Sequence, residues 1–355
     1  MSTTTSGRQA WIDVLKGWGI LIIVVGHVWS LQDASVFYQW LFSFHVHIFF
    51  FAAGLTLSLK NQSAIEHMAQ RAKGLLVPYL VFGLLGYLFY LAGYFVAQLA
   101  GLTVEQFNYG LWRPLWGVFY GTVGDGLLVN SPLWFLPALW LCSGALVAFN
   151  RSVHTVWIRY AITMGAFALG VWLSERIKLP LSMSSALCAA VFMQWGMDAQ
   201  KHVSPALSKR HTLTALLIFG ALSLFAPING SVGLAGPGVN HPLLFLFFAG
   251  VGTVFSLALS LLIHAHAPRL CSALITLGRN SLAILVLHML AIKGIKVVLS
   301  LALGIGVVEI EHHLGWGLLV LVLTGVGLWP SIVLLKRWAP WTLGQTNSRR
   351  AGATS

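Results

Sequence analysis

Charged side chains are scarce in this sequence. Asp, Glu, Lys and Arg make up only 8% of its 355 residues, whereas hydrophobic residues make up 57%. A soluble domain usually has about a quarter of its residues charged. Long apolar runs recur along the chain, each near the roughly 20 residues that cross a bilayer as a helix. The composition therefore excludes an ordinary soluble enzyme and predicts an all-α integral membrane protein.

Cysteine is also rare. Cys142, Cys188 and Cys271 form no CxxC pair and have no zinc-ligand spacing, so we interpret them as small buried hydrophobes. A cleavable signal peptide is not expected either. The first apolar run lacks a small-residue cleavage site, and another run follows it at once.

The apolar runs predict about ten transmembrane helices. They lie near 14–31, 36–59, 75–98, 132–149, 155–173, 180–198, 211–227, 242–263, 277–301 and 315–336. We expect residues 11–340 to form one transmembrane domain, flanked by disordered cytoplasmic tails at 1–10 and 341–355. Residues 99–131 have two interpretations, either a segment that lies in the membrane interface or one that re-enters the membrane. No internal repeat of the kind found in many transporters is visible.

The basic residues are distributed unequally between the two sides of these spans. Sixteen of the 21 Lys and Arg residues fall on the side of the termini, and only Arg113, Arg176 and Lys178 fall on the other. Lys293 and Lys296 lie inside a span. The positive-inside rule then predicts that both termini are cytoplasmic. This asymmetry also explains the net charge of +12 without nucleic acid as a partner.

The first span, "WIDVLKGWGILIIVVGHVW", carries Lys16 and His27 on one helical stripe. Eleven residues cover three turns and about 16.5 Å, which predicts Lys16 at the cytoplasmic rim and His27 near mid-membrane. Asp13 is an i,i+3 partner for Lys16. The separation suits a long donor molecule whose phosphates bind at the membrane surface and whose reactive end reaches inward. Coenzyme A thioesters have this shape. The alternatives are a topological anchor for Lys16 and an interhelical hydrogen bond for His27.

The second span contains "FSFHVHIFFFAAG". His45 and His47 are about 200° apart on a helix, so only one can face the same site as His27. Metal-binding pairs on one helix face prefer i,i+4, which favours a catalytic or substrate-positioning histidine over a metal ligand.

The next motif, "QRAKGLLVPY", places Arg71 and Lys73 just before a span. Both are interpreted either as surface anchors or as phosphate ligands beside Lys16, because the arginine fork pairs bidentately with phosphate oxygens.

These segments together resemble the multi-spanning membrane acyltransferase-3 family, which includes bacterial polysaccharide O-acetyltransferases and relatives of fucose 4-O-acetylase. The first span is similar to the family's pattern of a basic residue before a His, and "FSFHVHIFFFAAG" to its Phe-His-Met-Pro-x-Phe-Phe-x-x-Ser-Gly run. "RAKGLLVPY" resembles its Arg-rich start of the third helix. "LWFLPALW" and "LGRNSLAILVLH" resemble its Leu-Trp-Phe-Leu and late Gly-Lys/Arg-Asn-Ser-Leu…His segments. The order matches over nearly the whole chain.

The resemblance implies transfer of an acyl group, taken as acetyl, from cytoplasmic acetyl-CoA to a sugar hydroxyl of an exopolysaccharide, O-antigen or other envelope glycan. It implies a bacterial inner-membrane protein whose partners are membrane lipid, a carbohydrate or lipid-linked glycan acceptor and glycan-assembly proteins. No metal is expected. Together with the residues singled out above, the candidates fall into three groups: catalytic His27, His45 and His288; donor-binding Lys16, Arg71 and Lys73; and substrate-positioning Asp13, Trp134 and Ser281.

The sequence departs from the family pattern in three places. Lys16 replaces an Arg, His47 stands where Pro is common, and Gly74 stands where a second Arg often follows Arg71. Two other classes remain open: a transporter or flippase of a lipid-linked sugar, in which buried histidines relay protons, and a structural membrane subunit.

Two loops on the side away from the termini also have two interpretations each. "INGSVGLAGPGVNHP" (228–242) either shapes the mouth of the site or is a simple linker, and we favour the linker. "EIEHH" either binds a metal through Glu309 and His313 or is a solvated loop, and we favour the solvated loop.

Overall fold

A computed structural model describes residues 9–29, 35–59, 63–99, 101, 105–123, 127–203, 209–236 and 238–345. These residues form α-helices with only one isolated β-bridge, between Gly233 and Gly238. The helices are α1 (Ala10–Val28), α2 (Val36–Phe42), α3 (His47–Thr56), α4 (Ala64–Leu99), α5 (Trp112–Tyr120), α6 (Phe135–Ser152), α7 (Val156–Ser174), α8 (Met183–Ala199), α9 (Lys209–Ser223), α10 (Pro242–His266), α11 (Pro268–Arg279), α12 (Ser281–Leu303), α13 (Val307–His312) and α14 (Leu314–Trp338).

The prediction of an all-α membrane protein is confirmed. Within the described ranges, nine helical segments are long and apolar enough to cross a membrane. The remaining predicted span, 180–198, corresponds to α8, which has 17 residues. The cytoplasmic location of both termini stays a prediction.

The second predicted span is interrupted in the middle. α2 ends at Phe42 and α3 begins at His47, with turns between them. The amides of Phe44 and Phe49 bond to carbonyls only three residues back, so the chain tightens there without a proline. His45 lies in this break. A second interruption, at Asn280, separates α11 from α12, so the span predicted at 277–301 begins at Ser281 instead.

Helix α1 lies at the centre of the bundle. In its most apolar 18-residue stretch 72% of the residues are buried, compared with 17% in α7. α11 packs closely along it. A Cβ added to Gly17 would lie 2.0 Å from the Leu274 carbonyl oxygen, and one added to Gly278 would lie 1.9 Å from the Asp13 carbonyl oxygen. Only glycine permits this approach of two backbones.

The stretch left open at 99–131 contains α5, whose nine residues are too few to cross a bilayer. Pro114 and Val118 are buried, while the Trp112 and Trp116 side chains are exposed. This one-sided pattern is typical of a helix at a membrane interface.

The boundaries predicted for the two disordered tails need correction. Pro340–Leu343 form a 3₁₀ turn against α4, and Thr342 and Leu343 are buried there. The tail predicted at 341–355 therefore begins folded, because Thr342 and Leu343 pack on the bundle while the Trp341 side chain is exposed. The tail predicted at 1–10 ends similarly, since Ala10 already belongs to α1. Residues 1–8 and 346–355 lie outside the described residues.

Candidate functional site

A cavity of about 680 Å³ lies inside the bundle, among α1, α3, α4, α6 and α12. α12 contributes one stripe of side chains from Ser281 to Lys296, which spans about 22 Å at 1.5 Å per residue. The structure brings six of the nine predicted site residues to its wall: Lys16, His27, His45, Arg71, Trp134 and Ser281.

The two histidines on this wall share one hydrogen-bonding arrangement. Nδ1 of His27, in the last turn of α1, lies 2.7 Å from the Ile23 carbonyl oxygen. Nδ1 of His45 lies 3.1 Å from the Leu41 carbonyl oxygen. Because a carbonyl oxygen only accepts, Nδ1 of each ring carries the proton, and in the neutral imidazole Nε2 keeps its lone pair. Both histidines are therefore arranged as bases or nucleophiles at Nε2.

His288 does not line the cavity but contacts a histidine that does. Its ring meets the His27 ring edge to face, with 5.2 Å between centroids. Its Nδ1 lies 3.0 Å from the Ile284 carbonyl oxygen, so Nε2 is again the unprotonated nitrogen. His288 is fully buried, and Nε2 has no hydrogen-bond partner among the described residues. A proton donor that reaches this position would satisfy it.

His47 points away from the site. Its ring lies between Phe192 and Phe245, at centroid distances of 4.5 Å and 5.0 Å. Neither ring nitrogen has a hydrogen-bond partner within the described part of the chain. This confirms the prediction that only one of His45 and His47 faces the site of His27.

One end of the cavity combines cations with a helix N-terminus. Lys16, Arg71 and Ser281 line it, and α12 begins at Ser281. Nη1 of Arg71 is buried, and it donates no hydrogen bond to any residue that the structure describes. A guanidinium with a buried unused donor, beside the first amides of a helix, fits an anionic ligand. Lys73 is exposed and is not part of this wall.

Asp13 also lies outside the wall of the cavity. It is buried, and its Oδ2 is 3.3 Å from Nε of Arg279 at the end of α11. Next to this pair, Nζ of Lys336 lies 2.5 Å from Oδ1 of Asn280. These contacts hold the junction of α11 and α12, from which Ser281 enters the cavity.

The middle of the cavity is largely apolar. Trp134 belongs to a 3₁₀ turn, Ser131–Trp134, that precedes α6, and its side chain is only 5% exposed. Phe135 and Phe49 stand in the same wall with their rings 5.8 Å apart.

The loop at 228–242 is not the simple linker that we favoured. Gly233, Leu234 and Ala235 line the cavity. Asn229 organises the loop: Nδ2 of Asn240 donates to its carbonyl at 2.6 Å, and its Oδ1 accepts from the His241 amide at 3.0 Å. The charge-free sequence folds over the site because its polar groups bond to one another.

The opposite end of the cavity contains charges that the sequence interpretation did not assign to the site. Lys293, Lys296 and Glu311 line it, and Nζ of Lys296 lies 2.8 Å from Oε1 of Glu311. The position of two lysines inside a span was the available signal, since intramembrane charges are functional candidates by default. Of the two residues considered as metal ligands, Glu309 is exposed, and His313 accepts a hydrogen bond from the Gly315 amide at the start of α14.

Comparison with known proteins supports one family. The acyltransferase-3 family model, described as an acyltransferase domain, matches residues 9–336. No curated protein and no solved structure matches the chain significantly.

Proposed function

Because the chain belongs to the acyltransferase-3 family, we propose that it transfers an acyl group, taken as acetyl, from cytoplasmic acyl-CoA to a sugar hydroxyl of a cell-envelope glycan. The family match and the apolar helices make it a membrane acyltransferase. The finer proposal is carried by one observation: a single cavity joins the cationic end at Lys16 and Arg71 to His27 and His45.

The donor end is assigned from the chemistry of its residues. Lys16 and Arg71 bind the phosphates, with the buried Nη1 of Arg71 making the hydrogen bond that it lacks in the described protein. The first amides of α12 add to this anion site. His27 lies about 16.5 Å farther along α1 than Lys16. An acyl-CoA supplies its acyl group as a thioester at the end of a long arm, and this separation suits such an arm.

The transfer itself is assigned to His27. Its Nε2 removes the proton from the acceptor hydroxyl, and the hydroxyl oxygen forms an ester bond to the thioester carbonyl carbon. The carbon–sulfur bond breaks, and His27 returns the proton to the leaving sulfur as a thiol. The His288 ring packs edge to face on His27, with centroids 5.2 Å apart, and holds the His27 ring in position for this transfer. His45 presents a second Nε2 lone pair from the break between α2 and α3.

A covalent route uses the same nitrogen. Nε2 of His27 takes the acyl group from sulfur and then passes it to the acceptor oxygen. Because Nδ1 is occupied by the Ile23 carbonyl in both routes, Nε2 is the reacting atom in either one. Isotope exchange without acceptor distinguishes them, since only the covalent route incorporates labelled coenzyme A into acyl-CoA when no acceptor is present.

The acceptor is assigned to the rest of the cavity. Trp134 offers an aromatic face for a sugar ring. We expect a carbohydrate or lipid-linked glycan of an exopolysaccharide or O-antigen, handled in a bacterial inner membrane with lipid and glycan-assembly proteins as partners. The family match favours this function over the transporter or flippase that ten spans also suggested.

The test is release of the acyl group from labelled acetyl-CoA in inverted membrane vesicles, with succinyl-CoA in parallel. The wild type is compared with His27→Ala at equal amounts of inserted protein. Transfer or hydrolysis that disappears in the variant supports the proposal. Equal turnover in both proteins contradicts it.

A further inference from the structure

The far end of the cavity has more positive than negative charge. Lys296 is only 4% exposed, and its ammonium is paired with Glu311 at 2.8 Å. Lys293, one helical turn earlier, lies in the same wall. Nζ of Lys293 is 3.0 Å from the Leu128 carbonyl oxygen and forms no ion pair with any described residue. Two ammonium groups and one carboxylate leave this end of the cavity with a net positive charge.

An ammonium in excess of the carboxylates in such a position needs an explanation. Removing a charge from water is costly unless it is paired, and charges within membrane spans are functional candidates by default. A topological anchor does not explain Lys293, because its side chain lines an internal cavity rather than the rim of the bundle. One carbonyl satisfies one of its three donors. The other two are available to a ligand in the cavity.

The donor does not account for this charge. Lys16, Arg71 and Ser281 line one end of the cavity, whereas Lys293 lies 12 residues, or about 18 Å, beyond Ser281 along α12. His27 and His45 lie in the same cavity as both ends. A ligand held at Lys293 therefore approaches His27 from the side opposite the donor phosphates.

From this geometry we propose that Lys293 binds an anionic group of the acceptor, so that the acceptor is an acidic glycan bearing a carboxylate or a phosphate. The Lys296–Glu311 ion pair lies in the cavity wall beside Lys293 and adds no net charge to this end of the cavity. The inference rests on the proposed function, which makes the ligand at this end the acyl acceptor. It specifies the substrate class of that same site. Carboxylate and phosphate both offer negatively charged oxygens to an ammonium group, and the experiment distinguishes between them.

The experiment measures binding in the absence of acyl-CoA, so it does not depend on turnover. The full chain in lipid nanodiscs is titrated with two matched pairs: methyl glucuronoside against methyl glucoside, and a polyprenyl phosphate sugar against the uncharged polyprenyl glycoside. In the wild type we expect at least a tenfold preference for the charged member of one pair. A preference in the first pair identifies a carboxylate, and one in the second identifies a phosphate.

Three variants test the assignment to Lys293. Lys293→Met should reduce the charge preference to about one, and Lys293→Arg should restore it. The double variant Lys296→Met/Glu311→Gln removes the neighbouring pair as a unit and should retain the preference. The inference is overturned if the wild type binds charged and neutral members equally or binds neither, or if Lys293→Met retains the preference. The proposed function is tested separately, and it is contradicted if acetyl-CoA turnover does not require His27.

Discussion

The imidazole rings of His27 and His288 meet edge to face with centroids 5.2 Å apart, although 261 positions separate them in the chain. His27 presents the cavity-facing ring, and His288 lies behind it with a buried Nε2 that has no partner among the described residues. This relationship assigns different tasks to the two histidines. His27 reacts, and His288 holds the His27 ring in position.

Replacing His288 should therefore affect the rate rather than donor binding. In His288→Ala we expect kcat to fall about tenfold, because loss of the packed ring lets the His27 ring leave the geometry that proton transfer requires. KM for acyl-CoA should stay the same, since His288 is remote from the Lys16 end. Steady-state kinetics with purified protein measure both constants. A changed KM with an unchanged kcat would contradict the assignment.

Arg71 and Lys73 form a matched pair of cations two residues apart. Arg71 lines the cavity with a buried unused donor, whereas Lys73 is exposed outside it. Arg71→Met should raise KM for acyl-CoA by roughly 10- to 150-fold, which corresponds to 1.5–3 kcal/mol for a charge-assisted hydrogen bond.

Lys73→Met serves as the control for this comparison. It should leave KM within about twofold of the wild type, because a solvated surface charge is screened. Equal effects of the two substitutions would show that the phosphates bind at the surface, as the sequence alone also allows.

The crossing of α1 and α11 makes a prediction about stability. Gly278→Ala should destabilise the protein by roughly 1–3 kcal/mol, because the new methyl group meets the Asp13 carbonyl oxygen at 1.9 Å before relaxation. Gly325→Ala is the control, since a Cβ at Gly325 meets no atom within 4 Å. Thermal unfolding in detergent should show a lower midpoint for Gly278→Ala only. A lower midpoint for both variants would contradict the close crossing.

Much of the fold could be predicted from the sequence because hydrophobic length is a strong signal in membrane proteins. The ten predicted spans overlap α1, α2–α3, α4, α6, α7, α8, α9, α10, α12 and α14. The interruption at 43–46 was missed because no proline or charge marks it, and the one at Asn280 was missed although Arg279 precedes it. They depend on close packing between helices, which hydropathy does not measure.

The site could be predicted in part for a similar reason. Helical periodicity related Lys16 to His27 and separated His45 from His47, and the structure places Lys16, His27 and His45 in one cavity. Periodicity within one helix contains no information about partners on other helices. The sequence therefore gave no indication that Asp13 pairs with Arg279 or that Lys296 meets Glu311 across 15 positions.

The folded loop at 228–242 shows a second limit. Glycine-rich, charge-free sequence is typical of a flexible connection, yet here the Asn229 and Asn240 side chains bond the loop to itself. Local composition does not reveal such hydrogen bonds, because either asparagine would equally suit an open turn.

The most direct test of the central claim, that His27 carries the chemistry, compares His27→Ala with His47→Phe in acyl transfer from labelled acetyl-CoA. Both histidines are in the same bundle, but His47 lies between Phe192 and Phe245 outside the cavity. The rate should fall by about 10²- to 10⁴-fold in His27→Ala, the usual contribution of a general base, and stay near the wild-type value in His47→Phe. Wild-type turnover in a folded, inserted His27→Ala protein would contradict the account.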